Sequence, residues 1–300
     1  MGRRAGEVVR PGFAKEEPDG TRRSVPGLSA MLLPLEGQTL CYDLVGPEGG
    51  EVVAFTHSLA ADLGLWAEQV PALLAAGFRV LRLDLRGHGG SRSAAGPYTM
   101  DALADDLVAV ADATGIDRFH FVGLSIGGAI GQSLALRHAQ RIRSLMLCDT
   151  QSESFADAAT HWGRRIESLE RAGSVEAIAD DTMGRWLTQE FRRNNPLRWS
   201  QIRSTVAGCT VEGYIGCAKA LADFNYTDRL HTVRVPVLVA CGSEDPRATP
   251  EESRRIAALF PDGRYQEFTG ARHVPNVEQP EAFNRVLIDW LRHDVGSAGN

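Results

Sequence analysis

Short apolar runs alternate with amphipathic stretches along most of the chain after residue 52. Apolar runs that predict buried strands lie at residues 52–55, 79–84, 119–122, 145–148, 235–241 and 265–268. Apolar residues recur at helical spacing at residues 66–76, 100–113, 129–136, 254–259 and 280–292. Strands that alternate with helices form parallel units, and near-continuous apolar runs are typical of strands covered on both faces. The pattern therefore predicts an α/β fold in which helices flank a mostly parallel sheet.

The alternation stops between about residues 151 and 228, where several helices and no strand-like run are predicted. Three of the five tryptophans lie in this stretch, namely Trp162, Trp186 and Trp199. A helical insertion after a strand of a parallel sheet would lie over the carboxyl ends of the strands, where ligands bind in open α/β sheets. We therefore predict a helical lid at 151–228 on a core formed by 29–150 and 229–294. A helical extension without a role in binding is the alternative.

The two ends of the chain lack this pattern. Residues 1–28 are rich in Gly, Arg, Pro and Glu without an apolar period, which predicts a poorly ordered extension, and residues 295–300 form a short tail. The first residues, Met-Gly-Arg-Arg, are not followed by the apolar segment of a secretory signal. No apolar run approaches the roughly 18 residues of a membrane span, so none is expected.

Charge and cysteine content narrow the function classes. Acidic residues outnumber Lys plus Arg by 38 to 32, for a net charge of −6. This balance argues against a nucleic-acid-binding surface, because such a surface carries a basic stripe. The five cysteines are odd in number and form no Cys-x-x-Cys motif. We therefore expect free thiols in a reducing compartment and a cytoplasmic protein.

Residues 123–127 read Gly-Leu-Ser-Ile-Gly and match the motif Gly-x-Ser-x-Gly. A strand is predicted before the motif and a helix after it, and in that context the serine lies on a strained turn with its hydroxyl exposed. Glycines suit such a turn because Cβ atoms would meet the neighbouring strand and helix. Ser125 is therefore the candidate nucleophile of a hydrolytic enzyme. A serine in a glycine-rich turn without chemistry is the alternative.

A serine hydroxyl needs a base, and in folds of this kind the acid and then the histidine follow the serine along the chain. Of the eight histidines, only His273 and His293 lie beyond the last long apolar run, and His293 lies at the end of the final predicted helix. His273, in a loop after a short strand, is therefore the candidate base. Asp245 follows the last long apolar run and is the candidate acid, while Asp149, which also follows a strand, is the alternative.

The tetrahedral intermediate needs two hydrogen-bond donors for its oxyanion. We expect one to be the backbone N–H of Ile126, next to the serine. The other is expected from the loop after the strand at 52–55, where the N–H of Leu59 is the first candidate and that of Ser58 the next. His57 in the same loop is interpreted as a support for the loop rather than as a second catalytic histidine.

Several stretches resemble those of a known family. They are Ser-Leu-Ala-Ala-Asp-Leu-Gly-Leu-Trp at 58–66, Arg-Val-Leu-Arg-Leu-Asp-Leu-Arg-Gly-His-Gly at 79–89, Gly-Pro-Tyr-Thr at 96–99, the serine motif at 123–128, Arg-Trp-Leu-Thr at 185–188, Gly-Tyr at 213–214, and residues 273–284. Through these stretches, residues 31 to 293 resemble the 3-oxoadipate enol-lactonases of the α/β-hydrolase superfamily. The chain departs from that family at Ala60, where the family has Gly, and at Asp149, where it often has Asn.

The resemblance implies a carboxylic ester hydrolase that opens a small-molecule lactone or ester through an acyl-enzyme, without a metal or organic cofactor. The carboxylate of such a lactone needs a cationic partner. The insertion offers Arg164, Arg165, Arg185, Arg192 and Arg193. Trp186 and Ser58 are further candidates for substrate contact. The alternatives are a carboxylesterase or lactonase for a larger natural product, a carbon–carbon bond hydrolase, and a non-catalytic binding protein. No oligomeric state is predicted.

Overall fold

The computed structural model describes residues 30–94 and 96–293, so the expectations for residues 1–28 and for the tail at 295–300 lie outside the described residues. Its strands are β1 (Met31–Leu35), β2 (Gln38–Val45), β3 (Val52–Thr56), β4 (Arg79–Leu83), β5 (Arg92–Ser93), β6 (Phe119–Leu124), β7 (Ile142–Cys148), β8 (Val237–Gly242) and β9 (Gly263–Phe268). Its α-helices are α1 (Gln69–Ala75), α2 (Met100–Ala113), α3 (Ile126–Arg137), α4 (Ala158–Ala172), α5 (Ala179–Trp186), α6 (Gln189–Asn194), α7 (Pro196–Gly208), α8 (Val211–Ala222), α9 (Pro250–Leu259), α10 (Pro275–Glu278) and α11 (Pro280–His293).

The strands form one sheet in the order β1-β2-β4-β3-β6-β7-β8-β9, with β5 paired to β2. From β4 to β9 every neighbouring pair is parallel. The pairs that involve β2 are antiparallel. The predicted α/β fold with a mostly parallel sheet and flanking helices is therefore confirmed.

Some elements differ from the prediction. No strand is predicted before residue 52, yet β1 and β2 form an antiparallel hairpin there. Its turn contains Gly37 with φ +72°, a conformation that glycine adopts readily, and this Glu-Gly turn between apolar stretches was the available signal. The prediction of a single helix at 66–76 is wrong, because the chain forms a 3-10 helix at Leu63–Trp66 and then a shorter α1.

The core lies on both faces of the central strands. Every residue of β3 and of β6 is buried, which explains why their sequences are nearly continuous apolar runs rather than alternating ones. The ring of Trp66 packs against Phe55 of β3 and Phe283 of α11, with ring centroids 4.8 and 6.1 Å apart. The chain on either side of the insertion therefore contributes to one core.

Helices α4 to α8 lie between β7 and β8 and are anchored to loops that follow the carboxyl ends of strands. Arg198 of α7 pairs with Glu68 at 2.6 Å, in the segment after β3. Thr210, ahead of α8, donates its hydroxyl to the carbonyl of Gly87 at 2.7 Å, in the loop after β4. These contacts hold the insertion over the carboxyl end of the sheet. Within the residues that the structure describes, no helix is long and apolar enough to cross a bilayer.

Candidate active site

Ser125 occupies a sharp turn between β6 and α3. Its φ is +61° and its ψ is −115°, a strained conformation for a residue with a Cβ. The turn is held from both sides: the N–H of Ser125 donates to the carbonyl of Cys148 at 2.8 Å, and the Thr150 hydroxyl donates to the carbonyl of Ser125 at 2.7 Å. Strain that the surroundings fix in this way is common at functional sites.

The glycines of the motif are required by close packing around this turn. A Cβ at Gly123 would collide with the backbone of Gly127. A Cβ at Gly127 would lie 2.5 Å from the carbonyl oxygen of Thr56 in β3, and one at Gly128 would lie 2.5 Å from the Thr150 side chain. The sequence folds into this turn because glycine alone leaves room for β3, β6 and α3 to approach each other.

His273 and Asp245 lie on neighbouring loops after β9 and β8 and are hydrogen-bonded. The distance between His273 Nδ1 and Asp245 Oδ2 is 2.6 Å. Asp245 Oδ1 accepts the backbone N–H groups of Arg247 and Ala248 at 2.8 and 3.1 Å. Burial alone would raise the pKa of Asp245, but the charge and hydrogen bond of His273 and the N–H of Arg247 hold that pKa below its usual range. Asp245 is thus an ionised carboxylate that can fix the orientation of the His273 imidazole.

Asp149, the alternative acid, lies beside this pair but makes no hydrogen bond to His273 in the described part of the chain. Its Oδ1 accepts the N–H of Gly242 at 2.9 Å. Burial, followed by the nearby Asp245 carboxylate, raises its pKa well above the usual range. Among the two candidates, the contact with the imidazole therefore belongs to Asp245.

Asp149, Asp245 and His273 also offer oxygen and nitrogen atoms within 4.8 Å of one another, a spacing that can hold a metal ion. However, His273 Nδ1 is already bonded to Asp245 Oδ2, and Asp245 Oδ1 is occupied by two backbone N–H groups. The donor atoms are thus bonded to one another rather than converging on an open position. This arrangement fits a histidine held by a carboxylate better than a metal centre.

The backbone N–H groups of Leu59 and Ile126 are the predicted oxyanion donors. Ile126 is the first residue of α3, so its N–H has no acceptor within the helix. Leu59 N–H makes no backbone hydrogen bond within residues 30–94 and 96–293, and Leu59 and Ser58 line the same pocket as Ser125. At Ala60, φ is +69°, so this departure from the family's Gly places an alanine in a conformation that favours glycine.

His57 orients the peptide that carries the Leu59 N–H. Its Nε2 accepts the N–H of Leu85 at 3.0 Å, so Nδ1 carries the proton and donates to the carbonyl of Ser58 at 2.8 Å. Burial lowers the pKa of His57 and keeps the ring neutral. The carbonyl and N–H of one trans peptide point in opposite directions. The bond to Ser58 therefore turns the N–H of Leu59 away from His57.

A pocket joins these groups to the helical insertion. It encloses about 760 Å³, part of it open to solvent. Ser125 and His273 form its core wall, and Arg165, Arg185 and Trp186 belong to its insertion wall. The Trp186 ring lies 6.1 Å from the His273 ring, centroid to centroid.

The predicted contact residues separate into two groups. The structure places Ser58, Arg165, Arg185 and Trp186 on the pocket. The other arginines that were considered, Arg164, Arg192 and Arg193, are exposed and do not belong to its lining among the described residues. The sequence interpretation missed several further lining residues: Phe155, His161, Tyr214, Phe224 and Arg247. Two of them had a signal: Arg247 follows Asp245 by two positions in the same loop, and Tyr214 belongs to the Gly-Tyr stretch of the family resemblance.

Positive charge dominates the insertion wall. Arg165 donates to the Tyr214 hydroxyl at 2.9 Å, to Asp181 at 2.8 Å and to the Thr182 hydroxyl at 2.9 Å. Arg185 Nε lies 3.4 Å from the same Asp181 carboxylate but without hydrogen-bond geometry. Burial and the neighbouring Arg165 lower the pKa of Arg185. Arg185 Nη2 donates to the Thr182 hydroxyl at 3.4 Å, and its Nε has no hydrogen-bond partner among the described residues. One exposed carboxylate thus balances two guanidinium groups.

Arg247 and His161 lie at the other end of this wall. Arg247 Nη2 donates to His161 Nδ1 at 3.1 Å, and its guanidinium lies over the Phe155 ring at 4.7 Å. Burial and the charge of Arg247 lower the pKa of His161 to about 4, so this histidine is neutral near pH 7. The pocket therefore holds three arginines, and the two carboxylates closest to them, Asp157 and Asp181, are largely exposed.

Known proteins resemble the chain over most of its length. The model of the alpha/beta hydrolase fold family matches residues 51–280. A 3-oxoadipate enol-lactonase of Acinetobacter baylyi is 30% identical over 85% of this chain and 94% of its own. A putative carbamate hydrolase of Variovorax paradoxus is 30% identical over 84% and 96%. The crystal structure of the enol-lactonase from Burkholderia xenovorans superposes with a TM-score of 0.83 at 34% identity, covering 87% of this chain and 99% of that one.

Proposed function

The chain belongs to the α/β-hydrolase family, and within that family we propose that it is a serine hydrolase that opens a lactone or ester bond of a small anionic substrate. One observation carries this proposal. Ser125 lies on a strained turn and shares a pocket with His273, whose Nδ1 is bonded to the buried Asp245 at 2.6 Å. A serine, a histidine and a carboxylate in these relations are the parts of nucleophilic acyl transfer.

In the proposed mechanism, Ser125 Oγ attacks the substrate carbonyl while His273 takes its proton. Asp245 keeps the proton of Nδ1 in place and stabilises the imidazolium. The N–H groups of Leu59 and Ile126 bind the oxyanion, and each such donor contributes ~10²–10³ in rate. The carbon–oxygen bond then breaks, and the leaving oxygen takes the proton from His273. Water, deprotonated by His273, hydrolyses the acyl-enzyme and restores Ser125.

Proton transfer from Ser125 to His273 requires a hydrogen bond between their side chains. The described residues contain no hydrogen bond from the Ser125 hydroxyl to His273. Catalytic hydrogen bonds are often long or poorly aligned without substrate and tighten when it binds. The backbone of Ser125 is already held by hydrogen bonds with Cys148 and Thr150, and we propose that the bond to His273 forms when the substrate binds.

The arginines of the insertion wall support an anionic substrate. Arg185 lines the pocket and shares the exposed Asp181 carboxylate with Arg165, and a carboxylate is the usual partner of a guanidinium group. The relatives from Acinetobacter baylyi and Burkholderia xenovorans are enol-lactonases. The substrate of the former, 3-oxoadipate enol-lactone, combines a lactone carbonyl with a carboxylate. We therefore propose this lactone, or a close analogue, as the substrate.

Ser125→Ala tests the nucleophile. The variant should lose at least 10³-fold in kcat on the enol-lactone and on p-nitrophenyl acetate, because catalysis without the nucleophile falls to the contribution of binding and the oxyanion donors. A fluorophosphonate should label the wild-type protein on Ser125 and leave the variant unlabelled. Ser253→Ala, which changes a buried serine of α9 away from the pocket, is the control and should stay labelled. Activity of Ser125→Ala within tenfold of wild type would refute the proposal.

A carbamate substrate is the second candidate, because a putative carbamate hydrolase is as similar to the chain as the enol-lactonase is. The same groups could serve, but His273 would then protonate a nitrogen leaving group. Assaying a small carbamate beside the lactone and the neutral ester distinguishes the two. A kcat/KM for the carbamate above that for the lactone would assign the site to carbamates.

A further inference from the structure

Asp149 is a buried carboxyl group that the proposed mechanism does not use. The residue is 1% exposed and has a φ of +45°. Its backbone N–H donates to the carbonyl of Ala240, and its Oδ1 accepts the N–H of Gly242 at 2.9 Å. Its Oδ2 is buried and receives no donor from the described residues. A buried carboxylate oxygen without a donor would be costly, so this oxygen needs another explanation.

The explanation lies in the neighbouring carboxylate. Asp149, Asp245 and His273 hold polar atoms within 4.8 Å of one another. Two ionised carboxylates this close in a buried site repel each other, and such pairs keep one proton between them. Asp245 already accepts hydrogen bonds from His273 and two backbone N–H groups, which favour its ionised form. The proton of the pair therefore resides on Asp149.

We propose that Asp149 is a positioning residue: a neutral carboxylic acid whose Oδ2–H donates a hydrogen bond to the Asp245 carboxylate and holds that carboxylate against His273. The effect of Asp149 on catalysis rests on the proposed function. The protonation state of Asp149 does not depend on that function.

The other titratable groups around Asp149 are consistent with a neutral acid. They are Asp245, His273, Cys148 and Cys241. Burial raises the pKa of the Cys148 and Cys241 thiols, so both are uncharged near pH 7. Neither thiol supplies a positive charge that could stabilise a second carboxylate. The hydrogen bond from Asp149 also acts in the direction that lowers the pKa of Asp245, after the larger effects of burial and His273.

Substitution separates a neutral donor from a second catalytic carboxylate. Asp149→Asn keeps the shape and offers amide N–H donors, so kcat/KM should stay within about threefold of wild type. Asp149→Leu removes the donor at similar size and should lower kcat about ten- to a hundredfold with little change in KM, because a buried carboxylate loses a partner. A loss of 10³-fold or more in Asp149→Asn would show that the ionised carboxylate is needed. Wild-type kcat in Asp149→Leu would show that Asp149 positions nothing.

The pH dependence of stability tests the same proton without an activity assay. The raised pKa of Asp149 means that the folded protein holds a proton that the unfolded chain releases above about pH 4. Stability from this group is therefore lost as pH rises. Asp149→Asn has no such proton, so its Tm should exceed that of wild type by an amount that grows from about pH 4 to pH 8. Asp245→Asn is the matched control: folding lowers the pKa of Asp245, so the stability from that group is complete above about pH 4 and is lost only at lower pH. Its Tm difference from wild type should therefore change mainly below about pH 4.

Infrared spectroscopy observes the proton directly. The difference spectrum of wild type minus Asp149→Asn at pH 7 should contain the carbonyl stretch of a protonated carboxylic acid, shifted in D2O. Its absence, with a Tm difference that is flat from pH 4 to 8, would overturn the proposal. If Ser125→Ala retained activity, the proposed function would fail while these two measurements still decided the state of Asp149.

Discussion

The two walls of the pocket hold their charges in different ways. On the core wall, the Asp245 side chain is 1% exposed and is fixed by His273 and two backbone N–H groups. On the insertion wall, Arg165 and Arg185 share Asp181, which is 62% exposed. A buried group with several partners has one arrangement, whereas a pair that shares a solvated partner can exchange it for a ligand. We infer that the core wall breaks the bond and the insertion wall selects the substrate.

The largest expected effect lies on the core wall, at Asp245. Asp245→Asn should lower kcat by about 10⁴-fold, because the amide stabilises the wrong tautomer of His273 and cannot stabilise imidazolium. The loss should be similar for the enol-lactone and for p-nitrophenyl acetate, since the effect acts on chemistry common to both. Steady-state kinetics on the two substrates measures it.

Asp149→Asn serves as the comparison for this substitution because it makes the same chemical change within the same cluster. A loss in Asp149→Asn that equals the loss in Asp245→Asn would assign the acid role to both carboxyl groups. If Asp245→Asn lowered kcat less than tenfold, the contact with His273 would not be catalytic. The inference that the core wall carries the chemistry would then be refuted.

A smaller and selective effect is expected on the insertion wall. Arg185→Met keeps an apolar stem of similar length but removes the donors, so kcat/KM for the anionic lactone should fall about 10- to 100-fold, the worth of a partly solvated carboxylate contact. The value for p-nitrophenyl acetate, which has no carboxylate, should change less than threefold. Competition between the two substrates in one assay measures the ratio directly.

Arg192→Met is the matched control for Arg185→Met. Arg192 lies in the same insertion but stacks on Trp199 at 4.4 Å and is not on the pocket. Its substitution should leave both substrates unchanged. An equal loss on both substrates in Arg185→Met would show that this arginine supports the fold of the wall rather than the carboxylate of the substrate.

The core wall could be predicted from sequence because its signals are local. The glycines around Ser125 are dictated by clashes that Cβ atoms at Gly123, Gly127 and Gly128 would make. Asp245 follows β8, whose apolar run is continuous because both faces are covered, and His273 follows the shorter apolar signal of β9. Chain order then leaves few candidates for each role.

The insertion wall could not be predicted to the same extent, because its residues meet through packing of helices rather than through a motif. Arg164 and Arg165 are adjacent in sequence, yet only Arg165 faces the pocket. Which one does so depends on how α4 lies against α8, where Tyr214 receives the Arg165 hydrogen bond. The β1–β2 hairpin was missed for a different reason: β1 is mostly exposed at the sheet edge, and β2 mixes polar with apolar residues.

The smallest expected effect concerns the contact that anchors the insertion. Arg198 pairs with Glu68 at 2.6 Å and donates to the carbonyl of Gly64 at 2.9 Å, linking α7 to the loop after β3. Both charged side chains are about a quarter exposed, so water screens the pair and its contribution is about 0.5–1 kcal/mol. Arg198→Met should therefore lower Tm by about 1–3 °C. It should change kcat/KM less than threefold, because α7 contributes nothing to the pocket lining among the described residues.

Arg203→Met is the control for this prediction, because Arg203 of α7 pairs with Glu176 and Asp180, both inside the insertion. Both variants should lose similar stability if the anchor is an ordinary surface pair. A tenfold loss of kcat in Arg198→Met alone would mean that docking of the insertion sets the geometry of Ser125 and His273. Substitutions in the insertion wall would then change catalysis by Ser125 and His273 as well as substrate selectivity.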